Sequence, residues 1–195
     1  LRPLRRGLAS RKQDVVALFE AGRADEAMQL ILEILEDSPD DPDILVNLAI
    51  AQAGRGEIRG ARETLEKAIL SENMHYAANL NMALVTNRLG SQDASLLPVA
   101  LMHAERAASV RPDAGAPHRA RGDILSQMQR AADALQAYEE AFRLDGRNPA
   151  PLVQAGAMLL RLGQLDAAAS TYQRALDCSP TDLSSILGMA STRLA

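Results

Sequence analysis

The sequence predicts an all-α fold, a solenoid of stacked antiparallel helix pairs. Three observations carry that reading. Alanines stand at 27, 61, 100, 134 and 168, with steps of 34, 39, 34 and 34 residues, and Ile34, Ala68, Ala107, Ala141 and Ala175 repeat the same steps. Residues that end helices follow them again: Pro39, Asn73, Pro112, Gly146 and Pro180. Hydrophobic residues make up 47% of the chain but aromatics only 3%, with no Trp, so the core must come from Leu, Ile, Met and Ala, which favour helix over strand. A period of this length marks helix-pair repeats, in which each unit contacts only its neighbours.

The chain opens with a basic arm over residues 1–7. Residues 1–12 hold Arg2, Arg5, Arg6, Arg11 and Lys12 and no acid, whereas residues 13–43 hold ten acids against Arg23 alone. A solvated arm is the plain reading; contact with an anionic partner or with the acidic first unit is the alternative. The first unit, 8–41, starts with Ser10 and Gln13 in capping-box spacing and turns at Gly22. The second, 42–75, begins at Asp41-Pro42, a cap side chain ahead of proline at the first helical position, and turns at Gly56.

The third unit, 76–114, is the long one. A series at Val15, Ala49, Ala83, Gly122 and Gly156 keeps the 34-residue step as far as Ala83, and Gly90 still fits the turn position, while Ala100 is displaced. Five extra residues therefore fall between them, and Ser91-Gln92-Asp93-Ala94-Ser95 has a loop composition, with Pro98 suited to the following helix's first turn. The fourth unit, 115–148, has Gln129 where the others turn on glycine; the fifth, 149–182, opens at Asn148-Pro149 and turns at Gly163. Glycine at these turns accepts the left-handed backbone that ends a helix. Residues 183–195 match the first helix of a sixth unit, with Arg193 as their single charge and Ile186, Met189 and Ala190 wanting a partner. That apolar helix, together with a first residue that is not Met, reads as part of a longer chain, or as the closing contact of a homodimer.

The small residues allow helices of one unit to cross closely. Larger side chains, Ile31, Leu65, Tyr138 and Tyr172, follow four residues after the alanine on the same face. Ala104 takes that place in the third unit, which predicts looser packing there.

Period, alanine-to-large spacing (Ala134-Leu135-Gln136-Ala137-Tyr138), the pairs Leu48-Ala49 and Ala155-Gly156, and the closing Ser179-Pro180 together resemble the tetratricopeptide repeat, over residues 8–182. The signature Trp is missing throughout, and Val15 stands where the first unit should have a small residue. The resemblance implies a right-handed superhelix whose first helices line a concave groove that binds a peptide or protein segment. Carried over by position, that groove includes Lys12 and Val16; Asn47, Ile50 and Gly54; Asn81, Leu84 and Arg88; Arg119 and Asp123; Gln154, Ala157 and Arg161. Asn47, Asn81 and Gln154 form an amide row, interrupted by Ala120, that can hold an extended backbone without reading its side chains; the alternative is that each amide bonds its own helix or a neighbour. A row of this kind is similar to that of arrays attached to protein glycosyltransferases. The family's carboxylate clamp is absent, since Val16, Ala77 and Asn81 replace its Asn and basic residues.

No catalytic constellation is present. His75, His103 and His118 lack metal-ligand spacing, and Gly54-Arg55-Gly56 with Gly60 follows a helix, so it reads as a turn and not a nucleotide loop. No cofactor is expected. The net charge of −4 argues against nucleic acid, and no apolar run approaches a membrane span. Cys178, unable to form an internal disulfide, points to a reducing, cytoplasmic setting and to a buried structural thiol. The expected function is a non-catalytic protein-interaction scaffold; the alternative is the substrate-recruiting array of a glycosyl-, sulfo- or methyltransferase, since similar bacterial arrays precede such domains.

Overall fold

The computed structural model describes residues 7–194, so Leu1 to Arg6 of the basic arm lie outside it. The described residues form a right-handed α-solenoid of antiparallel helix pairs. The helices are α1 (Leu8–Glu20), α2 (Ala24–Asp37), α3 (Pro42–Gly54), α4 (Ile58–Ser71), α5 (Tyr76–Gly90), α6 (Leu97–Val110), α7 (Gly115–Gln127), α8 (Ala131–Leu144), α9 (Ala150–Arg161), α10 (Leu165–Cys178) and α11 (Leu183–Leu194), with a single 3-10 turn over Ala94–Leu96.

Local chemistry sets the helix ends. Asp41 Oδ1 accepts the Ile44 amide at 3.1 Å, with Pro42 in the first turn of α3. Asn148 Oδ1 accepts the Ala150 amide at 3.0 Å, although α9 starts one residue later than the dipeptide suggests, with Pro149 itself at the cap. His75 caps α5: its Nδ1 accepts the Ala78 amide at 3.2 Å. The expected capping box at Ser10 does not form, because α1 already begins at Leu8 with Gly7 as its cap, and Ser10 lies inside the helix. Gly22, Gly56 and Gly163 turn with φ of 72°, 85° and 72°, and Gln129 adopts the same left-handed region at 61°.

Gly90 departs from this set. It is the last residue of α5, buried, and a Cβ there would collide with the Leu97 side chain. The five extra residues explain why. α5 has 15 residues against 13 in α3, and the remaining three form the 3-10 turn, whose start is capped by Asp93 through the Ser95 amide at 3.0 Å. The inserted length is thus absorbed by helix and a capped turn, and no left-handed residue is needed.

Packing follows a single scheme. Each apolar cluster joins one helix pair to the first helix of the next: Val15, Ile31, Ile34 with Ile44; Leu45, Ala49, Leu65 with Met82; Ala83, Ala104 with Ile124; Leu125, Ala134, Tyr138 with Met158. Within a pair, volumes trade off across the crossing. Val15 meets Ile31, Ala49 meets Leu65, and the two glycines meet the two tyrosines. A Cβ on Gly122 would lie 2.5 Å from the Tyr138 ring, and one on Gly156 2.9 Å from Tyr172. Looser packing in the third unit does not occur: Ala83 and Ala104 are both fully buried, and two small residues let α5 and α6 close up. Cys178 is exposed, not buried, at the end of α10.

The first helices touch one another in succession, α3 to α5, α5 to α7, α7 to α9 and α9 to α11, whereas the second helices do not meet in this way. The stack therefore curves with first helices on its inner side.

Replacing Gly122 with Ala should destabilise the fold by about 1–3 kcal/mol, because the Tyr138 ring is buried and cannot retreat without strain. Adding Tyr138→Leu, which recreates the Ala49–Leu65 combination, should recover part of that loss in urea unfolding. A double variant no more stable than Gly122→Ala alone would show that the pair is not a size match.

Candidate functional site

The inner face is lined by side chains of α1, α3, α5, α7 and α9. All the sequence-derived candidates lie on these first helices: Lys12 and Val16 on α1; Asn47, Ile50 and Gly54 on α3; Asn81, Leu84 and Arg88 on α5; Arg119 and Asp123 on α7; Gln154, Ala157 and Arg161 on α9. They do not form one site.

Asn47 belongs to an open hollow of about 510 Å³ between α1, α3 and α5, shared with Lys12, Val16, Asp43, His75 and Ala77. Asn47 is half-buried and its amide has no hydrogen-bond partner among the described residues. Val16 and Ile50 each keep 48% of their surface exposed on this side. Asn81, one turn beyond Ala77, donates its Nδ2 to the Ala77 carbonyl at 2.9 Å, leaving its oxygen open. The donor half of that amide is used by its own helix, which is the alternative to a ligand role.

A charged chain borders the hollow. Lys12 Nζ reaches Asp41 Oδ2 at 2.7 Å and Asp43 Oδ2 at 2.8 Å, and His75 Nε2 meets Asp43 Oδ1 at 3.1 Å. Because His75 Nδ1 accepts the Ala78 amide, the neutral ring carries its proton on Nε2 and donates it to Asp43. Hydrogen bonding from Lys12 foremost, then from His75, holds the Asp43 carboxyl below its ordinary value. Burial works to lower the Lys12 ammonium, but the bonds to Asp41 and Asp43 outweigh it and raise it. Lys12 is therefore committed to two carboxylates already. His75 escaped the sequence reading as a cap, although it occupies the position of Asp41 and Asn148 in the repeat register.

Farther along, Tyr138 reaches from α8 under α7 and donates to Asp123 Oδ1 at 2.9 Å, while Arg119 lies 3.6 Å from Asp123 Oδ2. Burial pushes the Asp123 carboxyl up, and the Tyr138 hydroxyl and Arg119 only partly offset it. The Tyr138 phenol is itself driven well above its usual range by burial first and by the Asp123 charge. Asp123 thus serves the crossing as much as the surface. Arg161 donates to Ser126 Oγ at 3.3 Å, Gln154 is exposed, and Arg88 sits at the turn end of the stack beside Glu57, Gly60 and Gln92.

A buried polar pair joins α5 to α6. Asn79 is fully buried and donates Nδ2 to the carbonyls of Asn73 and His75, at 2.8 and 3.0 Å. Its oxygen is left to accept, so His103 donates from Nδ1 across 2.9 Å, tying α6 to α5. No group of three or more metal-ligating side chains exists among the described residues, and no described helix is long and apolar enough to cross a membrane.

Two family models for the tetratricopeptide repeat match the sequence, over residues 18–81 and 119–182. No curated protein matches it. Among solved structures, a thermophilic TPR protein of Thermus thermophilus is 24% identical, with a TM-score of 0.78 over 96% of this chain and 99% of that one. MamA of Desulfovibrio magneticus RS-1 is 17% identical, with a TM-score of 0.75 over 90% and 96%. YrrB, a TPR protein with an unusual peptide-binding site, is 14% identical, with a TM-score of 0.70 over 92% and 90%. At these identities the likeness is one of fold.

The burial of His103 gives the fold a pH dependence. Burial, then the charges of Arg106 and Arg62, lowers the His103 pKa from its ordinary value. The unfolded chain then binds a proton near pH ~6.5 that the folded ring resists, so the contribution is complete above that pH and is lost as pH falls from there through the lower folded value. His118, lowered chiefly by burial, acts in the same direction. The urea midpoint should therefore decline on acidification from neutrality, and His103→Gln should flatten part of that decline. An unchanged slope in His103→Gln would assign the effect to other groups.

Proposed function

The chain belongs to the tetratricopeptide repeat family, and from that premise we propose that its inner face holds an extended segment of a partner protein. A protein-interaction scaffold is what the family and its structural neighbours support. The finer reading rests on one observation: a half-buried Asn47 amide, unpartnered among the described residues, in a hollow with exposed Val16, and exposed Ile50 one turn farther along α3. A peptide backbone can supply both the donor and the acceptor that this amide lacks, and the open oxygen of Asn81 accepts one bond further along the same segment. Val16, Ile50 and Leu84 receive apolar side chains of the segment. Arg88, Arg119, Gln154 and Arg161 extend the surface toward the C-terminal half, where the charges of Arg88 and Arg161 suit an acidic residue of the ligand. A net charge of −4 favours a protein over a nucleic-acid partner, and a lone cysteine fits a cytoplasmic setting.

A second reading, self-association, is favoured by α11. Leu183 is 65% exposed, and Ile186 and Leu187 are exposed too. Ile186 occupies the register position of Leu152, which is fully buried in α9. Two copies meeting through α11 would cover these side chains. Light scattering tests this: a mass of two chains that reverts to one in Ile186→Glu supports it, and a monomer at all concentrations removes it.

The inner-face reading is tested by selecting peptides from a random displayed library on the wild-type chain. Replacing Asn47 and Asn81 together with Ala should weaken the selected peptides by about tenfold or more, roughly 1.4 kcal/mol or above, while the melting temperature holds. Undiminished binding would remove the amides from the site, and a parallel loss of stability would assign them to structure.

A further inference from the structure

The outer side of the stack carries an apolar groove that the repeat pattern does not account for. It runs between α4 and α6, with Met82 of α5 and His103 in its floor. Leu70 is 86% exposed on one wall, and Val99 and Met102 are exposed on the other, around a hollow of about 390 Å³. A second hollow, of about 540 Å³, continues it toward the 3-10 turn, sharing Arg62 and Glu66. In repeat register, the position of Leu70 is filled elsewhere by Glu36, Ser109, Arg143 and Asp177, and that of Met102 by Gln29, Glu63, Gln136 and Ser170. Every equivalent position is polar. Solvent-facing second helices thus carry polar groups at these places, and only this groove presents a leucine and a methionine instead.

We infer that this outer groove is a docking surface for an amphipathic helix with an apolar stripe and an acidic flank, separate from the inner face. The walls are helices whose backbone groups are internally bonded, so an extended chain would find no main-chain partners there, whereas a helix brings its own. α4 has 14 residues, a wall of about 21 Å, which matches an incoming helix of about four turns. Leucine at i, i+3 or i+4 and i+7 of that helix meets Leu70, Met102 and Met82, and the methionines adapt to its contour. The acidic flank follows from charge. Arg62 is paired with Glu66 at 3.2 Å, which leaves Arg106, at the rim of the apolar hollow, as an excess cation with no ion-pair partner among the described residues; the adjoining hollow holds Arg59 together with Glu63 and Asp93 and adds no positive charge, so the acidic flank lies on the Arg106 side.

The probe is a synthetic helical peptide of about 15 residues with a leucine stripe and glutamates beside it, compared with an isomer carrying lysines in their place. Fluorescence anisotropy should show saturable binding of the glutamate peptide and weaker binding of the lysine peptide. Leu70→Glu with Met102→Gln, which installs the residues found at the same register in other units, should reduce affinity at least about tenfold without lowering the melting temperature. Arg106→Glu should reverse the preference between the two peptides. Asn47→Ala with Asn81→Ala should leave this binding unchanged, which keeps the outcome independent of the inner-face reading. Absence of saturable binding, equal affinity for both peptides, or loss in the Asn47/Asn81 variant but not in the Leu70/Met102 variant would each overturn the inference.

Discussion

Where two helices of a unit cross, the side chains that face each other must fill the space between the backbones without overlap, and in three of the pairs a small residue on the first helix does so by meeting a large one on the second. Gly122 and Gly156 face tyrosines; Ala49 faces Leu65; Val15 faces Ile31. The glycines are there because a ring occupies the space of a Cβ. In exchange the rings fill what two aliphatic side chains would otherwise have to fill, and interiors tolerate neither overlap nor void. Tyr172 serves two glycines at once: a Cβ on Gly188 of α11 would also strike its ring. One side chain thereby fixes the crossing within the fifth pair and the seat of the next helix. Because each apolar cluster spans a pair plus the following first helix, the packing within one pair sets the seat of the next, and the inner face rests on residues that never reach it.

The third pair meets the same constraint differently. With Ala83 against Ala104 the facing volume is small on both sides, so the helices approach and the gap closes. The longer α5 and the 3-10 turn bring Leu97 over Gly90, and the Asn79–His103 bond joins the two helices through polar atoms, as Thr64–Gln52 and Tyr138–Asp123 do in the second and fourth pairs. All polar atoms of Asn79 are satisfied, which is the condition under which a buried amide specifies an arrangement instead of weakening it. The same amide holds Asn73 and His75, so it also fixes the entry to α5 and the His75 cap that faces the inner hollow.

The fold is legible in the sequence because its signal is periodic: alanines, turn glycines and closing prolines each report the same steps, and every one of those residue types has a backbone or packing reason to recur. Register misleads where one residue type has two jobs. Gly90 sits in register with the turn glycines but is required by Leu97, and a glycine's partner cannot be read from its own position. Cys178 ends α10 in the open because only the final turn's orientation, invisible in composition, decides its exposure. The inner face is legible only in part. Register places the candidates on first helices, but side-chain commitments are tertiary: Asp123 is engaged by Tyr138, and Asn81 by its own backbone. His75 is within reach of the register argument; histidine is simply a rare cap.

Curvature divides the two surfaces by the freedom it leaves them. On the inner side successive first helices touch, so a side chain there is bordered by the next unit and much of its polar capacity is drawn into local bonds, as with Lys12, Asp43 and His75. On the outer side the second helices stand apart, and the residues that wall the gaps between them can change without disturbing a crossing. Ala61, Leu65 and Ala68 of α4 are fully buried and constrained by their packing, while Leu70 on the same helix is almost wholly exposed and bears no such duty. A repeat array built on this constraint keeps its shape through its small buried residues and gains individuality in its outer gaps. The gap between α4 and α6, beside the one irregular unit, is where this chain departs furthest from its own repeat.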